Sequence, residues 1–298
     1  MERSAEADGA AAARMISAAA DAIRSQRTAV FPPPEDGPDM LYIAVDGTGV
    51  PVVAREAEGR RGKADDGKTR TREIKLACLF TQTALDDDGK PVRDPASTTC
   101  LATFEPAERF GVLLDAEARR RGIEHIRQPV VLGDGAAWIW NIADQYFPAA
   151  TQIVDLYHAR EHLHDLARLM EFMLGDSKDA WLAARLEDLD YGYIDGITAA
   201  ARAYPLVGVK KDQLDTALGY FENNAPRMRY HWFRQCGLFV GSGVVEASCK
   251  SVIGQRLKLS GMHWSLRGAD AITTLRCQQA SRPEDRIWPA PRNQTLAA

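Results

Sequence analysis

Leu41-Tyr-Ile-Ala-Val-Asp-Gly-Thr-Gly-Val-Pro-Val-Val53 decides how the chain is read, because a five-residue apolar run ends abruptly on a carboxylate followed by glycines. Tyr42, Ile43 and Val45 favour a buried strand that delivers Asp46. Asp46-Gly47 followed by the β-branched run Val50 to Val53 predicts an antiparallel hairpin turning there. Asp46 at a rigid strand end, beside glycines that admit another backbone or a phosphate, suits a metal ligand. Asp-Gly is also plain turn chemistry, and on this stretch alone the turn reading comes first.

Working outward, the alanine-rich N-terminus carries Glu2, Glu6, Asp8, Arg14, Asp21 and Arg24, so it lacks a signal peptide's continuous apolar core and reads as a loose helix. Phe31-Pro-Pro-Pro-Glu-Asp-Gly-Pro-Asp39 reads as an extended linker and puts a boundary near residue 40. Downstream, Gly59 to Lys75 holds seven Lys/Arg against three Asp/Glu and is the most basic loop, with Arg60 and Arg61 placed to meet phosphates or simply solvated. Glu73 to Thr81 is a further strand, Ser97 to Phe104 an edge strand, and Pro106 to about Arg121 an amphipathic helix.

Pro129-Val-Val-Leu-Gly-Asp-Gly135 repeats the opening device, a short apolar strand ending on Asp134 between glycines. A helix over Ala136 to Phe147 follows, and Thr151-Gln-Ile-Val-Asp155 is another strand ending on an aspartate. In open α/β sheets the ligand site lies off the carboxyl ends of the parallel strands, so Asp134 and Asp155 should share one crevice. Asp46 joins them if its strand lies alongside.

Leu156 to Met170 is a helix whose Leu156, Ala159, Leu163, Leu166 and Met170 form its core stripe. Its other face carries His158-Ala-Arg-Glu-His162, which matches the H-x-x-E-H pattern of inverted zinc peptidases, two histidines for zinc and Glu161 as general base. A solvated helix face explains the same residues, and so does a pairing of Asp155 with His158 near a substrate phosphate. From about Asp176 to Tyr230 the apolar spacing is helical throughout. Met228 to Arg234 then interleaves aromatics with arginine, a pattern of packing that can also stack on bases.

Gly241 to Trp264 closes the informative part. Ser242 as N-cap places Glu246 in the first turns of a helix, where the dipole favours a carboxylate. Lys250 sits one turn on. Around this glutamate, Lys250, Arg256, Lys258, Arg267 and Arg276 face a single acid, Asp270.

Composition excludes some classes. At 298 residues, 45% apolar, the chain can bury a full core, and with no apolar run near membrane-spanning length it is not a membrane protein. Lys and Arg number 37 against 41 Asp and Glu, a net charge of -4, so any nucleic acid must be met by local patches. Five scattered cysteines, never spaced Cys-x-x-Cys, point to reduced thiols in a cytosolic setting.

Val45-Asp-Gly-Thr-Gly-Val-Pro51, Thr71-Arg-Glu-Ile-Lys75, Leu132-Gly-Asp-Gly-Ala-Ala-Trp138, Ile153 to His162, Arg227-Met-Arg-Tyr230, Gly241-Ser-Gly-Val-Val-Glu246, Gln255-Arg-Leu-Lys258 and Ser260-Gly-Met262 together resemble a bacterial insertion-sequence transposase of the ISKra type, from about residue 40 to 280. The resemblance implies an α/β fold with an RNase H-like mixed sheet flanked by helices, and an all-α insertion before the last catalytic helix. The organisation it implies is a tail and Pro-rich linker over 1-40, a first core part over 41-160, a helical insertion over 161-239, a last core part with the catalytic glutamate over 240-281, and a tail over 282-298. Such transposases carry a substantial N-terminal DNA-binding region, so a fragment or truncated copy is one expectation.

The resemblance further implies a D-D-E triad of Asp46, Asp134 and Glu246 holding Mg²⁺ or Mn²⁺, with Asp155 and His158 matching a D-x-x-H motif. Phosphodiester transfer to water or a 3′-hydroxyl uses two divalent ions roughly 3.5–4 Å apart. Hard oxygen ligands suit Mg²⁺. Asp46 would bridge both ions, Asp134 and Glu246 would each hold one, Asp155 and His158 would support the scissile phosphate, and Lys250, Arg256, Lys258, Arg60 and Arg61 would meet the DNA. Partners are then element ends and target DNA, with a homo-oligomer assembled on them in the bacterial cytoplasm at the nucleoid. A zinc metallopeptidase built on His158, Glu161 and His162, and a catalytically inactive DNA-binding remnant, stay open as alternatives.

Overall fold

The apolar run from Leu41 lies at the centre of a five-stranded sheet. The computed structural model describes residues 2–25, 38–58, 70–241 and 243–287. Most of the Pro-rich linker, the heart of the basic loop with Arg60 and Arg61, Ser242, and the last eleven residues lie outside the described residues.

In chain order the elements are α1 (Glu2–Arg24), β1 (Met40–Pro51), α2 (Ala54–Ala57), β2 (Thr71–Gln82), β3 (Ala84–Leu85), β4 (Pro91–Val92), β5 (Thr99–Thr103), α3 (Ala107–Arg120), β6 (Gln128–Gly133), α4 (Ala137–Tyr146) and β7 (Thr151–Val154). A helical block follows: α5 (Leu156–Leu169), α6 (Glu171–Leu174), α7 (Lys178–Tyr191), α8 (Ile194–Arg202), α9 (Val209–Asn224) and α10 (Tyr230–Gln235). The chain returns through α11 (Gly243–Ser248), a π-helical turn (Cys249–Gly254), α12 (Gln255–Leu257) and α13 (Leu266–Ala280).

The sheet order is β5-β2-β1-β6-β7. β2 is antiparallel to both β1 and β5, while β1, β6 and β7 run parallel, so β2 alone is reversed. The hairpin expected at Asp46-Gly47 does not form. β1 runs straight through those residues, Asp46 opposite Leu76 and Gly47 opposite Lys75. Twelve cross-strand partners along β2 outweigh the local turn preference. The pairing with β6 stops at Ala44 opposite Leu132, so Asp46 still projects just beyond the carboxyl end of the parallel part.

Strand alternation sorts the two faces. Tyr42, Ala44 and Asp46 share a face with their partners Phe80, Cys78 and Leu76. On that face Phe239 packs edge-on against Tyr42 and Phe80, and α11 packs over β1 and β2. On the other face the Lys75 ammonium stands over Trp138 of α4, and Phe110 of α3 meets the same indole.

Tyr42 is wholly buried and anchors the return segment: its hydroxyl donates to Gln82 Oε1 at 2.6 Å and accepts from the Phe239 N–H, while Gln82 donates to the Gly237 carbonyl at 3.0 Å. The N-terminal helix is a packed element, with Ala12 and Ala20 buried where α1 crosses α13 and α3. Gly9 is obligatory there, since a Cβ would lie 2.1 Å from the Ala271 carbonyl oxygen. All five residues of the expected core stripe of α5, Leu156, Ala159, Leu163, Leu166 and Met170, are buried. No helix among the described residues is long and apolar enough to cross a membrane.

Candidate active site

Three adjacent parallel strands carry an aspartate at or just past the end of their parallel pairing, at one edge of the sheet. Asp46 lies just past the last β1–β6 pair, Asp134 follows Gly133 at the end of β6, and Asp155 follows Val154 at the end of β7. The Asp155 N–H donates to the Gly133 carbonyl at 2.7 Å, which carries the β6–β7 pairing right up to the aspartates.

Each carboxylate is fixed differently. Asp46 Oδ1 accepts the Gly47 N–H at 2.7 Å, and Oδ2 accepts the Cys249 thiol at 3.1 Å. Burial raises the Asp46 carboxyl pKa above its ordinary range, and the Asp134 charge adds to the rise. The thiol and amide bonds and the His158 imidazole act the other way. Asp46, Asp134 and His158 therefore lie within one another's electrostatic reach. Asp134 Oδ1 accepts the Ala136 N–H at 2.8 Å, closing an Asx turn. Asp155 is fully buried and caps α5, its Oδ1 accepting the His158 N–H at 2.9 Å, which sets where the imidazole leaves the helix.

Glu246 lies in the first turn of α11, beside β1 and β2. Cys249, three residues on and on the same helix face, reaches Asp46. Burial and the Asp46 charge raise the Cys249 pKa, so it stays a neutral thiol donor. The helix widens into its π turn at Cys249, a feature that recurs at functional sites. Arg276 donates to the Val252 and Ser251 carbonyls and so holds that turn. Among the described residues no three His, Cys, Asp or Glu side chains come close enough together to hold an ion unaided, so this conformation does not close Glu246 onto Asp46 and Asp134. The donor chemistry fits a hard divalent cation: Asp46 and Asp134 are carboxylates within electrostatic reach of each other, and Asp46 has its proton affinity raised by burial and by the Asp134 charge.

The H-x-x-E-H face is put to other uses. His158 Nδ1 lies 3.8 Å from Glu161 Oε2, and the His162 ring stacks on Tyr220 at 3.7 Å between centroids. Burial lowers the His162 pKa, which keeps that ring neutral. Asp134, His158, Glu161, His162 and Asp165 line an open pocket of about 150 Å³. The expected basic face divides in two. Lys250 and Lys258 are exposed, Lys258 donating to Thr48 Oγ1 on β1. Arg256 lies over Trp264 at 5.2 Å, and Arg276 is committed to carbonyls.

Sequence reading missed Cys249 and Tyr220. Cys249 carried a signal, its helical spacing from Glu246, whereas Tyr220 carried none. None of the known protein-family models matches the chain, and none of the curated proteins does.

Proposed function

We propose that the chain is the catalytic core of a DNA transposase with an RNase H-like fold, cleaving and joining DNA strands with divalent metal held by Asp46, Asp134 and Glu246. The observation that carries the proposal is the placement of Asp46 just past the last β1–β6 pair and of Asp134 at the end of β6, with the Glu246 helix packed across β1 and its next turn touching Asp46. The sheet order, with β2 alone reversed, is compatible with an RNase H-like core, and the helices α5 to α10 fall between the second acid and the glutamate as an insertion would.

In this reading Asp46 and Asp134 supply fixed oxygens and Glu246 completes the set when α11 approaches them. A bound divalent ion would activate the attacking oxygen and stabilise the leaving one. His158, whose backbone N–H is held by the Asp155 cap and whose charge acts on Asp46, would donate from its imidazole to a phosphate oxygen. Lys250 and Lys258 offer cations to the DNA backbone from the same rim. The test is nicking of a labelled duplex carrying the element's own end, with Mg²⁺ or Mn²⁺ against EDTA. Metal-dependent nicking that Asp46→Asn abolishes is expected; nicking unaffected by EDTA or by Asp46→Asn overturns the reading.

A further inference from the structure

Tyr220 belongs to α9, in the helical block, yet its hydroxyl donates to the backbone carbonyl of Asp134 at 3.0 Å. The other side of its ring is seated on His162 of α5, 3.7 Å between centroids with the planes 25° apart. Its edge lies against Gly135, where a Cβ would stand 2.5 Å from Tyr220 Cε2. Gly135 also has φ +103°, a conformation that side-chain-bearing residues adopt only under strain. Burial and the neighbouring carboxylates raise the phenol pKa, so the hydroxyl keeps its proton and remains a donor.

The Asp134 turn is therefore gripped from two sides. Inside, the Asp134 Oδ1 accepts the Ala136 N–H; outside, the Tyr220 hydroxyl donates to the Asp134 carbonyl. A glycine-containing turn held only by its own side chain has several accessible conformers, and a second bond from a rigid helix selects one. We infer that Tyr220 is a positioning residue that fixes the direction of the Asp134 carboxylate, with His162 as the seat for its ring. This assigns His162, left without a role by metal chemistry at Asp46 and Asp134, to aromatic packing. The inference rests on the proposed function only for what the fixed carboxylate then does; the grip itself is tested separately.

The experiment compares the full chain with Tyr220→Phe, which keeps the ring and deletes the hydroxyl, by hydrogen exchange of the peptide containing Gly135 and Ala136 and by calorimetric Mn²⁺ titration without DNA. Loss of one neutral hydrogen bond predicts about five-fold faster exchange confined to that turn, and a similar rise in the half-saturating Mn²⁺ concentration, with little change in Tm. Tyr220→Leu, which also removes the stack on His162, should exceed both effects; if it fails to fold, Tyr220→Phe alone decides. Unchanged exchange at the turn, or faster exchange spread over the whole chain, overturns the positioning role. Local loosening in a protein whose wild type neither binds Mn²⁺ nor nicks DNA leaves the positioning intact and overturns the metal reading instead.

Discussion

Replacing Asp134 by Asn separates metal chemistry from turn chemistry. Asn keeps an oxygen acceptor for the Ala136 N–H, now 2.8 Å from Asp134 Oδ1, so the Asx turn loses only the charged character of one bond, about 0.5–1 kcal/mol. Removing the Asp134 charge also relieves its repulsion of Asp46, which acts in the opposite direction. The two effects oppose, and the net change stays within about 1 kcal/mol, or about 2–4 °C in Tm for a chain of this size class. If Asp134 holds an ion, losing that charge at the reacting centre costs about 3–4 kcal/mol of transition-state stabilisation, a drop of roughly 10²–10³ in rate. The assay is single-turnover nicking of an element-end duplex alongside a thermal melt, with Asp134→Ala as the control that deletes the turn bond as well. Nicking equal to wild type in Asp134→Asn would refute the assignment of Asp134 to the metal.

Three further outcomes follow from the same geometry. The raised Asp46 pKa means that the folded chain binds this proton more tightly than the unfolded one, so its contribution is greatest when protonated and is lost as pH rises from the ordinary carboxyl range, about 4, through the raised value; Asp46→Asn should flatten that fall in metal-free melts, and superimposable Tm–pH curves would contradict it. Cys249, its thiol protonated by burial and by Asp46, should resist iodoacetamide at pH 8 in the native protein and react after denaturation, as peptide mass mapping would report; rapid native labelling would show a thiolate instead. Lys250→Ala or Lys258→Ala should weaken DNA binding about equally for all sequences and lower the salt slope by roughly one, whereas Arg276→Ala, which frees the π-turn carbonyls, should lower Tm; an unchanged slope for both lysines would remove this rim from the DNA contact.

The elements with strong periodicity were legible: β6, β7, α3, α4 and α5 fall within a residue or two of their sequence boundaries, because each buries a stripe that one local period describes. β1 was misjudged at Asp46-Gly47 because turn propensity is local while the pairing that overrides it comes from β2. Alanine content gave no hint of what α1 packs against: the crossing with α13 is made at Gly9, where the Ala271 backbone leaves no room for a Cβ. By charge alone Arg256 looked like a DNA contact and Arg276 like part of the positive surface around Glu246; only the folded chain shows one lying on Trp264 and the other bonded to carbonyls. Tyr220 meets Asp134 across 86 residues, a contact that no spacing rule encodes.

The clip between Cys249 and Asp46 joins residues 203 apart, and a second clip pairs Val53 N–H with the Trp264 carbonyl. Closing such long loops carries an entropic cost that the local β1–β2 ladder does not face to the same degree, so the sheet forms early and the glutamate-bearing helix docks late. During synthesis the strand aspartates are then in place while Glu246 and its helix are still emerging, so the proposed metal site stays incomplete until α11 has docked. Pulsed hydrogen exchange during refolding should protect Tyr42 to Val45 ahead of Val252 and Ile253; simultaneous protection would mean that the docking of α11 helps to nucleate the sheet.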